Sequence, residues 1–198
     1  MSNIHTTYIH GYRSSDGTFQ PLRLDKSTNT LQTIDYEHHE IHAGSHFFVV
    51  GYQDLSINQV LDFTFLMPNT TTWAHWNFKI DCESETNWLV YEAAVATNAL
   101  ANTITPFNSN RNSATASGTT LKYEVQANLV AANADTNVTA ATLLLAGISG
   151  TGKGGVGDYE RGHELILKQG TSYCLRAIAS AAGYINFDMQ WYEHTSIA

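Results

Sequence analysis

Two segments alternate without a break between large apolar and polar residues. Ala74, Trp76, Phe78 and Ile80 oppose His75, Asn77, Lys79 and Asp81, and Ile185, Phe187, Met189 and Trp191 oppose Asn186, Asp188 and Gln190. A period of two sends every large side chain to one face of an extended strand, which a helix cannot do. Each segment therefore predicts a strand with one buried face. The same device places Leu121, Tyr123, Val125 and Ala127 opposite Lys122, Glu124 and Gln126, and Leu61, Phe63, Phe65 and Met67 beside Asp62 and Thr64. Runs at residues 46–53, 88–95, 164–169 and 172–180 bring the total to about eight strands. No segment predicts a long helix. The expected fold is all-β: an antiparallel β-sandwich, with a jelly roll as its most economical version.

Residues 1–35 carry Gly11, Gly17, Pro21 and many Ser, Thr and Asn, with apolar residues too sparse for a helical face or a sustained strand. They predict an extended N-terminal arm, followed by a sandwich domain over 36–198. Two polar stretches, residues 103–120 and 147–162, predict surface loops.

The chain has 198 residues, ten Lys and Arg, eighteen Asp and Glu, and a formal charge of −8. That balance opposes the counterion release that drives binding to phosphate backbones, and it disfavours anionic membranes. Neither nucleic acid nor membrane is expected as a partner. The longest apolar run, Ala140 to Ile148, falls well short of the roughly 20 residues of a membrane helix. No basic start followed by an apolar stretch marks a secretory signal. Cys82 and Cys174 lie far apart and form no CxxC pair, so two buried free thiols are expected rather than a bridge.

Among strings that carry chemistry, Gly147-Ile-Ser-Gly-Thr-Gly152-Lys153-Gly154 superficially fits a phosphate loop. A phosphate loop needs Ser or Thr after the Lys and a helix beyond it; here Gly154, Gly155 and Gly157 oppose helix nucleation. The densest ionisable cluster is Glu37-His38-His39-Glu40-Ile41-His42. If extended, it projects His38, Glu40 and His42 to one face as weak candidate metal ligands. A jelly-roll metal enzyme would need further ligands from a distant strand, and His75, His163, Glu164 and His194 are the available residues. The alternative is that these side chains make hydrogen bonds at a subunit contact or where the arm meets the sandwich. No nucleophile elbow, reactive-thiol motif or acid–base pair is present, so neither catalysis nor a cofactor is expected. Alternation points Trp76 and Trp191 inward and leaves Trp73 and Tyr192 for exposed or interfacial positions.

Four strings taken together carry a resemblance: residues 16–25 (DGTFQPLRLD), 36–48 (YEHHEIHAGSHFF), 68–75 (PNTTTWAH) and 190–194 (QWYEH). With the loop Asn108-Ser-Asn-Arg-Asn-Ser113 they span about Asp16 to His194, weakening between Tyr123 and Asp158. The chain resembles a family of small structural proteins of tailed bacteriophages, of the capsid decoration or cement type. The resemblance implies a non-enzymatic β-rich oligomer, often a trimer, on the outer capsid surface of the virion, present in the host cytoplasm during assembly. Its implied partners are the major capsid protein and copies of itself. The arm and its junction would supply the contacts, through Phe19, Pro21, Leu22, Arg23, Tyr36, His38, His39, Glu40 and His42, with Trp73 and Tyr192 added from the sandwich. Two alternatives stay open: a tail- or fibre-associated module that binds host glycans through exposed aromatics and the two long loops, and a metal-dependent jelly-roll enzyme.

Overall fold

The structure is a computed structural model that describes residues 10–13, 18–21, 36–96, 102–126, 138–139, 142–150 and 164–195. The chain divides into two units, Met1–His39 and Glu40–Ala198. In the first, β1 (His10–Arg13) pairs antiparallel with β2 (Thr18–Pro21), setting His10 opposite Pro21 and Arg13 opposite Thr18. The segment expected to lack strands thus contains a short ribbon, because backbone pairing needs no apolar face. Phe19 and Pro21 lie on β2, whereas Leu22 and Arg23 lie outside the described residues.

Tyr36 opens a helix, α1 (Tyr36–Ala43). It ends at Gly44, whose φ of 75° is a backbone conformation that side chains with a Cβ resist. The Gly44 N–H donates to the Ile41 carbonyl (3.1 Å) and the Ser45 N–H to the Glu40 carbonyl (3.0 Å), the paired bonds of a Schellman cap.

The strands that follow are β3 (His46–Leu55), β4 (Val60–Leu66), β5 (Trp73–Cys82), β6 (Thr86–Glu92), β7 (Val95–Ala96), β8 (Asn102–Ile104), β9 (Phe107–Asn108) and β10 (Thr120–Gln126). Then come β11 (Val138–Thr139), β12 (Thr142–Ser149), β13 (Leu165–Leu167), β14 (Ser172–Ala179) and β15 (Gly183–His194). One sheet has the order β13-β5-β15-β3-β9 and the other β12-β6-β14-β4-β10-β8, while β7 and β11 form a separate ribbon. Ignoring the short edge strands β8 and β9 and the added β10, the sheets contain the nested antiparallel partners β3 with β15 and β4 with β14, then β5 beside β13 and β6 beside β12. That nesting is the strand order of a jelly roll, so the expected sandwich and its version are both present.

The alternating residues fill the space between the sheets. Ala74, Trp76, Phe78 and Ile80 from β5 and Ile185, Phe187, Met189 and Trp191 from β15 meet Leu61, Phe63 and Phe65 from β4, and all are buried. Aromatic contacts cross from sheet to sheet: Phe63 to Phe187 at 4.3 Å between centroids, Phe65 to Trp76 at 5.0 Å and Phe78 to Trp88 at 5.7 Å. Each such side chain contributes about 1.5–3 kcal/mol on burial. Neither cysteine forms a disulfide; Cys174 is buried, whereas Cys82, expected to be buried, is half-buried.

Two loop expectations need correction. Residues 103–120 include most of β8, all of β9 and the first residue of β10, because edge pairing tolerates polar side chains on the solvent face. Gly147 to Ser149 belong to β12, and residues 151–162 lie outside the described residues. Ala127 is likewise outside them. None of the described helices is long and apolar enough to cross a membrane.

Candidate functional site

Antiparallel register lays out the solvent face of the five-stranded sheet row by row. His75, Tyr192 and His46 share one row; Asn77, Gln190 and Phe48 the next; then Lys79, Asp188 and Val50; then Asp81, Asn186 and Tyr52; and last Tyr184 with Asp54. Directly opposed residues are same-face neighbours. The alternation that buries Trp76 and Trp191 therefore also assembles this surface.

At one end a closed polar network forms. The Tyr192 hydroxyl donates to Glu164 Oε1 (2.6 Å) and lies 3.0 Å from His75 Nδ1, His75 Nδ1 pairs with the same carboxylate oxygen, and His194 Nε2 lies 2.8 Å from His75 Nε2. One arrangement of protons satisfies the contacts to Glu164 and between the two imidazoles. His75 donates from Nδ1 to Glu164 and accepts at Nε2 from the His194 N–H, a tautomer assigned by the network. The imidazole of His75 also stacks on the Tyr192 ring at 4.5 Å. Burial, reinforced by the neighbouring His75, holds His194 below its ordinary value, against the opposing pull of Glu40 and Glu164. The network ties β15 to β5 and to the approach to β13.

The residues singled out from the sequence are redistributed. His75, Glu164 and His194 do come together, while His163 lies outside the described residues. Tyr192, expected at an exposed or interfacial position, is only 7 % exposed, because cross-strand pairing puts it against His75 and Glu164. Trp73 is half-buried.

The His38, Glu40 and His42 trio does not share a face, since the segment is helical and two residues along a helix is nearly its opposite side. His38, His39 and His42 are exposed, whereas Glu40 is buried and its carboxylate accepts from the Ser45 hydroxyl. Among the described residues no group of three His, Cys, Asp or Glu side chains is arranged to hold a metal ion.

The loop after β9 docks on the end of α1. Asn108 Nδ2 donates to the Gly44 carbonyl (2.7 Å), Asn110 Nδ2 to that of His42 (3.3 Å), and His46 Nδ1 meets Ser109 Oγ at 2.6 Å. The bond to His42 satisfies a carbonyl that the helix end leaves open.

At the other end of the same sheet face, Val50, Tyr52, Lys79, Asp81, Asn186 and Asp188 line an open groove of about 370 Å³. Tyr52 is 70 % exposed and Tyr184 49 %, their rings edge to face at 6.0 Å. Lys79 pairs with Asp81 at 3.0 Å. Asp188 Oδ1 and, one row away, Asn77 Oδ1 are buried and have no hydrogen-bond partner among the described residues. No local sequence pattern marks Tyr52 and Tyr184, because strand register decides which face an aromatic side chain takes.

A third feature lies on the other sheet. β12 is an edge strand whose Leu143, Leu144, Leu145 and Ile148 are all exposed. A bulge between Leu143 and Leu145 shifts the register against β6, so the leucines point in several directions and not to one face.

No protein-family model, curated protein or solved structure matches this chain.

Proposed function

We propose that this protein is a structural component of a tailed-bacteriophage particle, attached to the outer capsid surface as an oligomer. The observation that carries the reading is β12. An apolar strand left at a sheet edge, with Leu143, Leu144, Leu145 and Ile148 exposed, is a surface that monomeric proteins avoid and assembled ones cover. A second copy of the chain is its occupant in this reading, and the major capsid protein receives the assembled oligomer. The formal charge of −8 fits a location outside the shell, away from packaged DNA. The jelly roll is an architecture used in viral shells, and the resemblance of four strings to phage structural proteins points the same way.

The N-terminal segment, with Phe19, Pro21, Leu22, Arg23 and the exposed His38, His39 and His42 of α1, supplies the capsid contact in this proposal. Symmetric copies would each bind weakly and gain by avidity. The test is the composition of purified particles together with the solution mass of the isolated protein. Stoichiometric incorporation and a defined oligomer are expected. Absence from intact particles would refute the proposal, as would a strictly monomeric protein. A variant lacking residues 1–35 should form the same oligomer and no longer bind shells.

A further inference from the structure

We infer that the groove across β3, β5 and β15 is a binding site for a neutral oligosaccharide. Its volume of about 370 Å³ sits at the lower end of the roughly 300–1,000 Å³ of small-molecule sites. The groove brings together the two kinds of group that a sugar ring needs. Exposed phenol rings offer flat apolar faces to the C–H side of a pyranose, and Tyr52 and Tyr184 stand at one end with 70 % and 49 % exposure. Donors and acceptors for hydroxyls follow along the sheet: Asn186 beside Tyr52, then Lys79 and Asp188 in the adjacent row. The three outward rows from Tyr184 to Asp188 span about 13 Å along the strand, room for a short saccharide.

The second independent observation is the state of Asp188. Lys79 stands opposite it in register, yet Lys79 pairs with Asp81. Asp188 Oδ1 is left buried with no partner among the described residues. The terminal torsion of an Asp side chain is broad and roughly two-fold, so the uncommitted oxygen turns toward the groove when a donor arrives there. A sugar hydroxyl is such a donor, and it accepts in the same contact from Lys79 or Asn186.

Charge selects the ligand class. Lys79 is neutralised by Asp81, and Asp188 adds a negative charge, so phosphate, sulfate and uronate groups are repelled. A polyamine would be drawn to Asp188 but would leave the donors of Lys79 and Asn186 unused. The site lies on the sheet face formed by β3, β5 and β15.

The experiment titrates the full chain with maltohexaose, cellohexaose and mannohexaose at millimolar concentration, follows backbone amide shifts by NMR, and includes heparin hexasaccharide and spermidine as controls. At least one neutral hexasaccharide should shift residues around Tyr52, Lys79, Asp81, Tyr184, Asn186 and Asp188 while both controls leave them unmoved. Tyr52→Ala, at a site too exposed to disturb the core, should weaken binding about tenfold, and Asp188→Asn should weaken it as well. The inference is overturned if none of the three sugars shifts these residues, if only a control does, or if the affinity survives Tyr52→Ala. Particle incorporation of the Tyr52→Ala protein reads the capsid proposal separately, so failure of one does not pass for failure of the other.

Discussion

Arg176 grips Asp62 with both arms of its guanidinium, Nε to Oδ1 at 2.7 Å and Nη2 to Oδ2 at 2.9 Å, across the β14–β4 pairing. Gln126 Nε2 adds a further donor to Oδ2 at 2.7 Å, and Asp62 is fully buried. β4, which alternates in sequence, is buried on both faces, and this pair satisfies the charge that the second face carries. Replacing Arg176 with Leu leaves a buried carboxylate without its cation, a change that costs about 3–5 kcal/mol. Urea unfolding should show that loss, and adding Asp62→Leu should recover part of it. If Arg176→Leu alone unfolds with the wild-type midpoint, the pair does not hold the sheet.

His194 makes stability depend on pH. Burial, with His75 beside it, sets its folded value below the ordinary 6.5, so the folded state binds fewer protons than the unfolded chain in that range. The stabilisation is present above 6.5 and is lost as the pH falls through the depressed folded value. The denaturation midpoint should therefore drop between neutral and mildly acidic pH, with a shallower drop in His194→Gln. An equally steep dependence in the variant would rule His194 out as the source.

Glu193 organises the turn before β10. Its carboxylate accepts from Ser117 Oγ (2.6 Å), the Gly118 N–H (2.9 Å), Thr119 Oγ1 (2.8 Å) and Trp191 Nε1 (3.0 Å). Glu193→Ala orphans these donors together, at about 1–3 kcal/mol for each buried group left unpaired. Thermal unfolding should fall by several degrees, and amide exchange at Gly118 and Thr119 should accelerate. Protection unchanged at those two amides would mean that the turn holds itself.

The strands that carry the core were legible because Ala74 to Ile80 and Ile185 to Trp191 alternate through their whole length, and one buried face enforces that pattern. β12 was seen only as a run of leucines, since its bulge breaks the period of two. The helix at Tyr36–Ala43 was hidden for a different reason. Its residues have no apolar stripe, and its end is fixed by Gly44 and by Asn108 and Asn110 from far along the chain. For the site, residue chemistry pointed to His75, Glu164 and His194 without selecting among them. Only register could do so, because Tyr192 meets His75 through strand pairing across 117 positions of sequence. The groove was invisible for the same reason: Tyr52, Asn186 and Asp81 become neighbours through two strand pairings that no local pattern encodes.

The bulged edge strand gives the most direct test of assembly. Leu143 is 51 % and Ile148 66 % exposed, so exchanging either for Glu removes little from the core and should alter monomer stability by no more than about 0.5 kcal/mol. The same exchange places a charge on the surface that the proposal assigns to a second copy, where an unpaired buried charge is strongly unfavourable. Leu143→Glu with Ile148→Glu should therefore convert the oligomer to monomer in light scattering while the melting curve of the diluted protein stays in place. Gly147 must be left unchanged in this design, since a Cβ there would lie 2.4 Å from the Trp88 ring. If the doubly substituted protein keeps its oligomeric mass, copies meet through some other surface, and β12 loses its role in the assembly.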